Sequence, residues 1–316
     1  MSIHGELMRI GGHVVTITRP DKVLFPQDGI TKQQLIEYYR RIAPWILPHL
    51  HGRPLAMERY PDGIDKPGFF QKAVPFYYPR WIKTVTVKKV GGTVKHVVCD
   101  DAATLVYLAN QACVTPHVWL SRADRLDYPD QMVFDLDPST DDSFEPVKAA
   151  AQSLKDLLEQ LGLSAYLKST GSRGLHVAVP LRCDERFDAV RAVARQLANL
   201  VARQEPAQRT LEQRISKRRG RVFLDVNRNA YAQTVVSLYA VRARPGAPVS
   251  VPLDWNELER NDLRADGVTI RNVFKRLEKL VDPWADFQRR AVSLDGARRK
   301  LEKFDVPRRV SQEAEV

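Results

Sequence analysis

Residues 13–18, HVVTIT, form a short apolar run that predicts a strand. The segment RPDKVLFPQDGITK then turns at Pro20 and at Asp28-Gly29. Thr31 stands where a helix N-cap belongs, because Leu35, Tyr38, Tyr39 and Ile42 recur behind it at helical spacing. Residues 51–72, HGRPLAMERYPDGIDKPGFFQK, are polar and rich in Pro and Gly, and predict a long loop. Residues 81–90 and 93–100, WIKTVTVKKV and TVKHVVCD, predict two strands of a hairpin about Gly91-Gly92. A helix over 102–113 would set Leu105, Leu108, Ala109 and Ala112 on one face.

Past residue 130 the pattern becomes strands alternating with helices. QMVFDLD, AYLKS, LHVAVPL, RVFLDVN and TVVSLYAVRAR predict strands. Residues 145–161 form an amphipathic helix on Val147, Leu154, Leu157, Leu158 and Leu161, and residues 185–203 form a second. The alternation predicts an α/β (α+β) fold. No internal repeat or clean linker interrupts it. The weakest join falls at 113–130, and the polar tail beyond 306 is expected to fray.

Composition adds one hint. The chain of 316 residues carries a formal net charge of +11, spread through segments that also have apolar pattern, so the charge belongs to a folded surface. A basic surface favours an anionic partner such as nucleic acid, though it also occurs as a plain solvated face. No apolar run approaches the roughly 20 residues of a membrane span, and the first residues lack a signal-peptide core. Cys99, Cys113 and Cys183 are far apart, as expected for reduced thiols of a cytoplasmic protein.

The chemistry concentrates in MVFDLDPST, residues 132–140. Side chains alternate along a strand, so Asp135 and Asp137 share one face. Neighbouring carboxylates repel unless one protonates or a cation lies between them, and hard oxygen ligands suit Mg²⁺ or Mn²⁺. Asp225, in RVFLDVN, is a further acid on an apolar strand. Three acids from two strands are enough for a pair of metals in phosphoryl transfer. The plainer alternative is that Asp before Pro opens a turn.

Ser169-Thr170-Gly171-Ser172-Arg173-Gly174 lies between two strands. Its glycines, hydroxyls and guanidinium suit a phosphate cradle, although it matches neither a Walker A loop nor GxGxxG. His176 follows, placed either to donate to a phosphate oxygen or to fill the core. Arg242 and Arg244, two apart in YAVRARPG, would share one face of a strand and suit a triphosphate, or else protect an edge strand.

In this order the motifs resemble the archaeo-eukaryotic primase superfamily, and more closely the polymerase domain family of the bacterial end-joining ligase LigD. The resemblance runs from TRPDKVLFP to the helical C-terminus. It implies a primase-polymerase catalytic core of mixed or antiparallel sheets flanked by helices, with an N-terminal α/β region. On this basis residues 1–316 form one domain: 1–125 bind the DNA end and template, 126–306 hold the catalytic core, and 307–316 are tail. Asp135, Asp137 and Asp225 match the family's metal-binding acids. Ser169, Thr170, Gly171, Ser172, Arg173 and His176 match its nucleotide-phosphate loop. Arg242 and Arg244 fall at the triphosphate, and His117 near the incoming nucleotide. Lys22 and Lys32 match residues that grip a 5′-phosphate, and Phe69 and Phe70 match a pair that stacks on template bases.

Those last positions also agree with elementary chemistry: adjacent phenylalanines in a Pro/Gly-rich loop are poor core material, and a lysine suits a terminal phosphate. The implied function is template-directed addition of NTPs or dNTPs at breaks or gaps with a 5′-phosphate. The implied cofactors are two Mn²⁺ or Mg²⁺ ions, and the implied partners are DNA, Ku and a separate ligase, in a nucleoid-associated cytoplasmic protein. No K-x-D-G is present for a ligase nucleophile, and the length leaves no room for a separate ligase or nuclease domain. Thr170 and Arg173 depart from the family's usual serine and lysine. Two rivals remain: a haloacid-dehalogenase-like phosphohydrolase, whose signature VFDLDPS resembles, and a non-catalytic DNA-end binder.

Overall fold

The computed structural model describes residues 5–140 and 144–304. The expected fraying beyond 306 concerns residues outside this range. Two sheets face one another. The larger has six strands in the order Arg209–Thr210, Val222–Asp225, Gln131–Asp137, Leu175–Pro180, Tyr166–Ser169 and Pro252–Leu253. Every pairing in it is antiparallel except that of Arg209–Thr210 with Val222–Asp225. Apolar residues Met132, Phe134 and Leu136 alternate with Val133, Asp135 and Asp137 along its central strand. The apolar set is fully buried with Leu175, Val177 and Val179 of the neighbouring strand. Helices Glu145–Gln160 and Phe187–Gln204 pack on that side with their amphipathic stripes, leaving the carboxylate side to the second sheet.

The second sheet is antiparallel, in the order Thr234–Val236, Cys113–Trp119, Leu55–Arg59 and Phe69–Gln71. One strand from the C-terminal half therefore completes a sheet begun by the N-terminal half. Helix Lys32–Leu50 secures this interlacing. The Tyr38 hydroxyl donates to Tyr239 O (2.7 Å) and the Tyr39 hydroxyl to Val114 O (2.6 Å), while Val241 N donates to the Tyr39 hydroxyl (3.1 Å).

The helices and the strand with both aspartates lie where the pattern places them, except that the helix expected over 102–113 ends at Asn110: Ala112 takes a left-handed φ of 56°, and Cys113 opens a strand, Cys113–Trp119, within the expected weak join. The hairpin is also present, as Thr84–Lys89 paired with Gly92–Val97. Other parts of the sequence reading need correction or completion. Residues 51–72 are not one long loop, because Leu55–Arg59 and Phe69–Gln71 are strands within it. A further strand, Glu6–Ile10, pairs with His13–Ile17. TVVSLYAVRAR is a strand only over Thr234–Val236; Tyr239 takes φ 60°, a left-handed backbone that ends the extended run.

Thr31 caps its helix as expected. Its hydroxyl accepts from Gln34 N (3.3 Å), and Gln34 Oε1 in turn accepts from Thr31 N (2.8 Å), forming a capping box. Thr31→Ala should lower unfolding free energy by about 1 kcal/mol, read as a lower urea midpoint with an unchanged slope. An unaltered midpoint would mean that tertiary contacts alone hold the helix start.

Candidate active site

The antiparallel register sets Asp135 directly opposite Asp225 and opposite His176, so all three meet on the face turned to the second sheet. Burial opposes ionisation of Asp135, but attraction to His176, Arg228 and Lys168 outweighs it and holds the carboxyl below its ordinary range. Asp137 behaves oppositely: burial and the charge of Asp135 push it up to about 6, against the pull of Arg173. Asp225 Oδ1 accepts from Asn227 N (2.8 Å) and Asn227 Nδ2 (2.7 Å). Arg228 Nε lies 4.0 Å from Asp135 Oδ2 and 3.8 Å from Asp225 Oδ2, between the two acids.

Arg228 and Asn229 escaped the sequence reading. Both sit on the short 3₁₀ turn Asn227–Asn229 that follows the Asp225 strand. Asn229 is wholly buried, accepting from Val133 N (2.8 Å) and donating to Val133 O (2.7 Å), so it ties this turn to the Asp135 strand. An arginine three residues after a strand-end acid was the available signal.

Loop 169–174 is shaped by its own side chains. Thr170 Oγ1 donates to Gly174 O (3.0 Å) and accepts from Ser172 N (3.2 Å) and Gly174 N (3.3 Å). A Cβ on Gly174 would lie 2.2 Å from Leu136 O, so only glycine lets the loop touch the aspartate strand. Gly171 has φ +64°, and a Cβ there would meet Arg242 and Ser250 N at 2.8 Å. Ser169 points away from any cradle, its hydroxyl accepting from Val251 N (3.2 Å). Arg242 and Arg244 lie on a turn rather than on one face of a strand, since the left-handed residue upstream has already broken the run. From that turn Arg242 donates to Thr170 O (3.1 Å) and Arg244 to Ser172 Oγ (2.8 Å), so both arginines brace the loop.

The second sheet supplies the opposite wall. His117 Nε2 lies 3.2 Å from Glu58 Oε2, and Tyr60 donates to Glu58 Oε1 (2.9 Å). Phe70 meets His117 edge-on at 5.1 Å between ring centres. Burial lowers the His117 pKa, with Glu58 opposing. Asp135, Asp137, Thr170, Ser172, His176, Arg242, His117 and Phe70 thus converge with Glu58 and Arg228 on a cleft of about 420 Å³. Ser169, Gly171, Arg173 and Arg244 frame the loop without lining that cleft. His176 is buried, with Nε2 3.2 Å from Asp135 Oδ1, so its first neighbour is the carboxylate.

Lys22 and Lys32 line a separate cleft of about 310 Å³ with Arg19 and Arg59. Lys32 Nζ donates to Thr18 Oγ1 (3.2 Å) and Asn110 O (3.3 Å), and Lys22 pairs with Asp62 at 2.7 Å. Burial, then Arg19 and Lys22, bring the Lys32 pKa down to about 8. The strand Leu55–Arg59 reaches both clefts, through Glu58 in the first and Arg59 in the second, and Phe69–Gln71 pairs beside it. Phe69 and Phe70 are 47% and 55% exposed, and the Arg59 guanidinium stands 5.5 Å from the Phe69 ring.

With this geometry, comparisons with known proteins agree. Residues 31–284 match the model of the LigD primase-polymerase domain. The chain belongs to the LigD primase-polymerase domain family. Members are DNA-directed nucleotidyltransferases, which excludes the phosphohydrolase alternative. The multifunctional end-joining DNA repair protein LigD of Mycobacterium tuberculosis is 33% identical over 258 residues, covering 79% of this chain and 34% of that protein. The bifunctional LigD of Bacillus subtilis is 31% identical over 273 residues, covering 86% of this chain and 44% of its own length. This chain thus spans about a third to under half of these relatives. A solved structure of the polymerase domain of M. tuberculosis Ligase D in complex with DNA superposes with a TM-score of 0.81 at 31% identity, covering 88% of this chain and 99% of that one.

The LigD polymerase family is metal-dependent. Among the described residues, no three His, Cys, Asp or Glu side chains are grouped to hold a metal as they stand. The reason is local: Asp225 is turned onto Asn227, and Arg228 supplies the positive charge between the acids. The donor set nevertheless fits a hard cation. Asp135 Oδ1 is buried with the His176 ring nitrogen 3.2 Å away but no hydrogen bond of good geometry, and Asp137 is pushed up first by burial and then by the charge of Asp135. Among the described residues, no helix is long and apolar enough to cross a membrane.

Lys32 has a measurable signature. Its folded pKa of about 8 lies below the 10.5 of the free side chain, so between these values the unfolded chain binds more protons. Stability relative to Lys32→Met should therefore rise with pH through that window. Urea unfolding of both proteins at several pH values reads this directly, and parallel pH profiles would show that Lys32 is not desolvated.

Proposed function

We propose that this LigD-family domain is a template-directed nucleotidyltransferase that extends a primer across a gap or break and holds the downstream 5′-phosphate. The observation that carries the reading is the register of Asp135 opposite Asp225, with Asp137 on the same face beneath the loop of Thr170 and Ser172. Held by Asp135, Asp137 and Asp225, two Mg²⁺ or Mn²⁺ ions would supply the charge that activates the primer hydroxyl and stabilises the leaving pyrophosphate. The primer 3′-oxygen forms its bond to the α-phosphorus as the bond to the β-phosphate oxygen breaks. Ser172 and Arg242 face the triphosphate, and Thr170 keeps their backbone in place. Arg228 screens the acids while the site is loaded, and Glu58 orients His117 against the incoming nucleotide. Phe69 and Phe70 stack on template bases, and Lys22 and Lys32 grip the 5′-phosphate. The 5′-phosphorylated DNA is delivered by Ku and sealed afterwards by a ligase activity, with NTPs or dNTPs as substrates.

Extension of a labelled primer over a short gap with a 5′-phosphate and Mn²⁺, with NTPs and dNTPs supplied separately, tests the reading. Templated addition is expected. Asp135→Asn should slow it by about 10²–10³-fold or more with the fold intact by circular dichroism. A variant as active as the native chain would remove Asp135 from the reaction.

The phosphate cleft predicts a pH effect. Preference for a 5′-phosphorylated gap over an unphosphorylated one should weaken as pH rises through about 8, where free Lys32 loses its proton. Lys32→Arg, charged throughout, should flatten that dependence. The same decline in both proteins would assign phosphate recognition elsewhere.

A further inference from the structure

The strand with Phe69 and Phe70 opens a stretch of unusual composition. Residues 66–98 contain seven lysines and arginines and no aspartate or glutamate, in a chain with 38 acids. All seven basic side chains are exposed, and among the described residues only Lys83 of the seven pairs with a carboxylate, Asp100 at 2.6 Å. Within this stretch Phe76 is 100% exposed and Tyr77 51%. Neither contributes to the core, but Phe76 packs edge-on against Tyr77 at 5.7 Å between ring centres. Tyr77 packs edge-on against buried Tyr78 (5.4 Å), which packs against Tyr107 (5.0 Å). Turns at Pro75 and Pro79 flank the rings, with Tyr78 N donating to Pro75 O (3.1 Å) and Ile82 N to Pro79 O (3.1 Å). Val74 N donates to Lys95 O (2.9 Å), fastening the segment to the basic hairpin. On the other side Arg59, beside Phe69, donates to the Gln71 side chain, which donates to Ala73 O (3.1 Å). Hydrogen bonds therefore brace the segment that carries Phe76 and Tyr77 on both sides, toward the Phe69–Gln71 strand and toward the basic hairpin.

We propose that Phe76 and Tyr77 form a second stacking platform, which holds unpaired nucleotides of a DNA strand beyond those at Phe69 and Phe70. The inference rests on the polymerase reading for its strand and extends it to a surface outside both clefts. Exposed ring faces fit unpaired bases, since bases stacked inside a duplex offer no free face. The surrounding lysines and arginines, with no acid among them, fit a phosphate backbone. An apolar protein partner would leave that run of positive charge uncompensated.

The test is fluorescence anisotropy at one salt concentration with two 5′-phosphorylated gapped duplexes, one with a single unpaired template nucleotide and one with about eight. The Phe76→Ala/Tyr77→Ala double variant should bind the long gap about tenfold more weakly and the short gap as the native chain does. Phe76→Ala alone, at a fully exposed position, should move the same way by less. The Phe76→Trp/Tyr77→Trp double variant should restore affinity. Unchanged binding to the long gap would overturn the inference and leave the rings to a protein partner; equal losses on both substrates would also overturn it, as a generic contact. Single-nucleotide extension separates the two readings. If the native chain adds no nucleotide yet needs the rings for the long gap, the polymerase reading fails and the platform stands.

Discussion

Three carboxylates on one buried sheet face repel one another, and much of this molecule is arranged around that repulsion. Across a low-dielectric cleft the penalty is on the order of several kcal/mol per close pair. It is met by positive groups from several different elements. Lys168, two strands from Asp135, is buried and brought down to a pKa of about 7, mainly by desolvation, with Asp135 pulling the other way. Its Nζ donates to Val236 O on the facing sheet. The group that offsets the acids therefore also joins the two walls of the cleft. Arg228 adds its charge from a turn on the far side. Burial first and the charge of Asp135 second push the Asp137 carboxyl up, with Arg173 and Arg218 opposing.

The interlaced topology follows from the same requirement. A cleft between two sheets is rigid only if the sheets cannot slide. Here the Thr234–Val236 strand crosses to the second sheet, and Thr115 Oγ1 donates to Val241 O (2.7 Å) just beyond it. Tyr38 and Tyr39 grip the same segment from the first long helix. The turn with Arg242 and Arg244 thus hangs from the N-terminal half while bracing a loop of the C-terminal half. Asp28 Oδ2, accepting from Gly246 N (2.7 Å), adds a further link between that turn and the N-terminal half. The two clefts are in this way positioned by shared elements.

Much of this was legible beforehand, for local reasons. The long helices follow from apolar spacing, Thr31 from capping chemistry, and the Asp135 strand from an unbroken apolar run. What escaped was set by distant partners. LAMER has no clear alternation and lies among prolines and glycines, yet it is a strand because Cys113–Trp119 pairs beside it. VVSLYAV has an apolar run suited to a strand, yet Tyr239 turns left-handed where its carbonyl meets Tyr38 and its amide meets Ser250 O (2.6 Å). In both cases local pattern was outvoted by a hydrogen-bonding partner more than fifty residues away, the strand Cys113–Trp119 in one and Tyr38 in the other.

The division at the site is equally physical. Strand periodicity alone puts Asp135 and Asp137 on one face, and residue chemistry alone makes 169–174 a loop that an anion can approach. No local rule pairs Asp135 with Asp225, since a shift of one residue in that register would turn Asp225 to the opposite face. Nor does any local rule send the Ser169 hydroxyl to Val251 while Thr170 organises the loop, or bring Glu58 and Arg228 into the cleft. Those choices belong to the packing of the two sheets, because register and side-chain partners are fixed only when remote strands bury their apolar faces together.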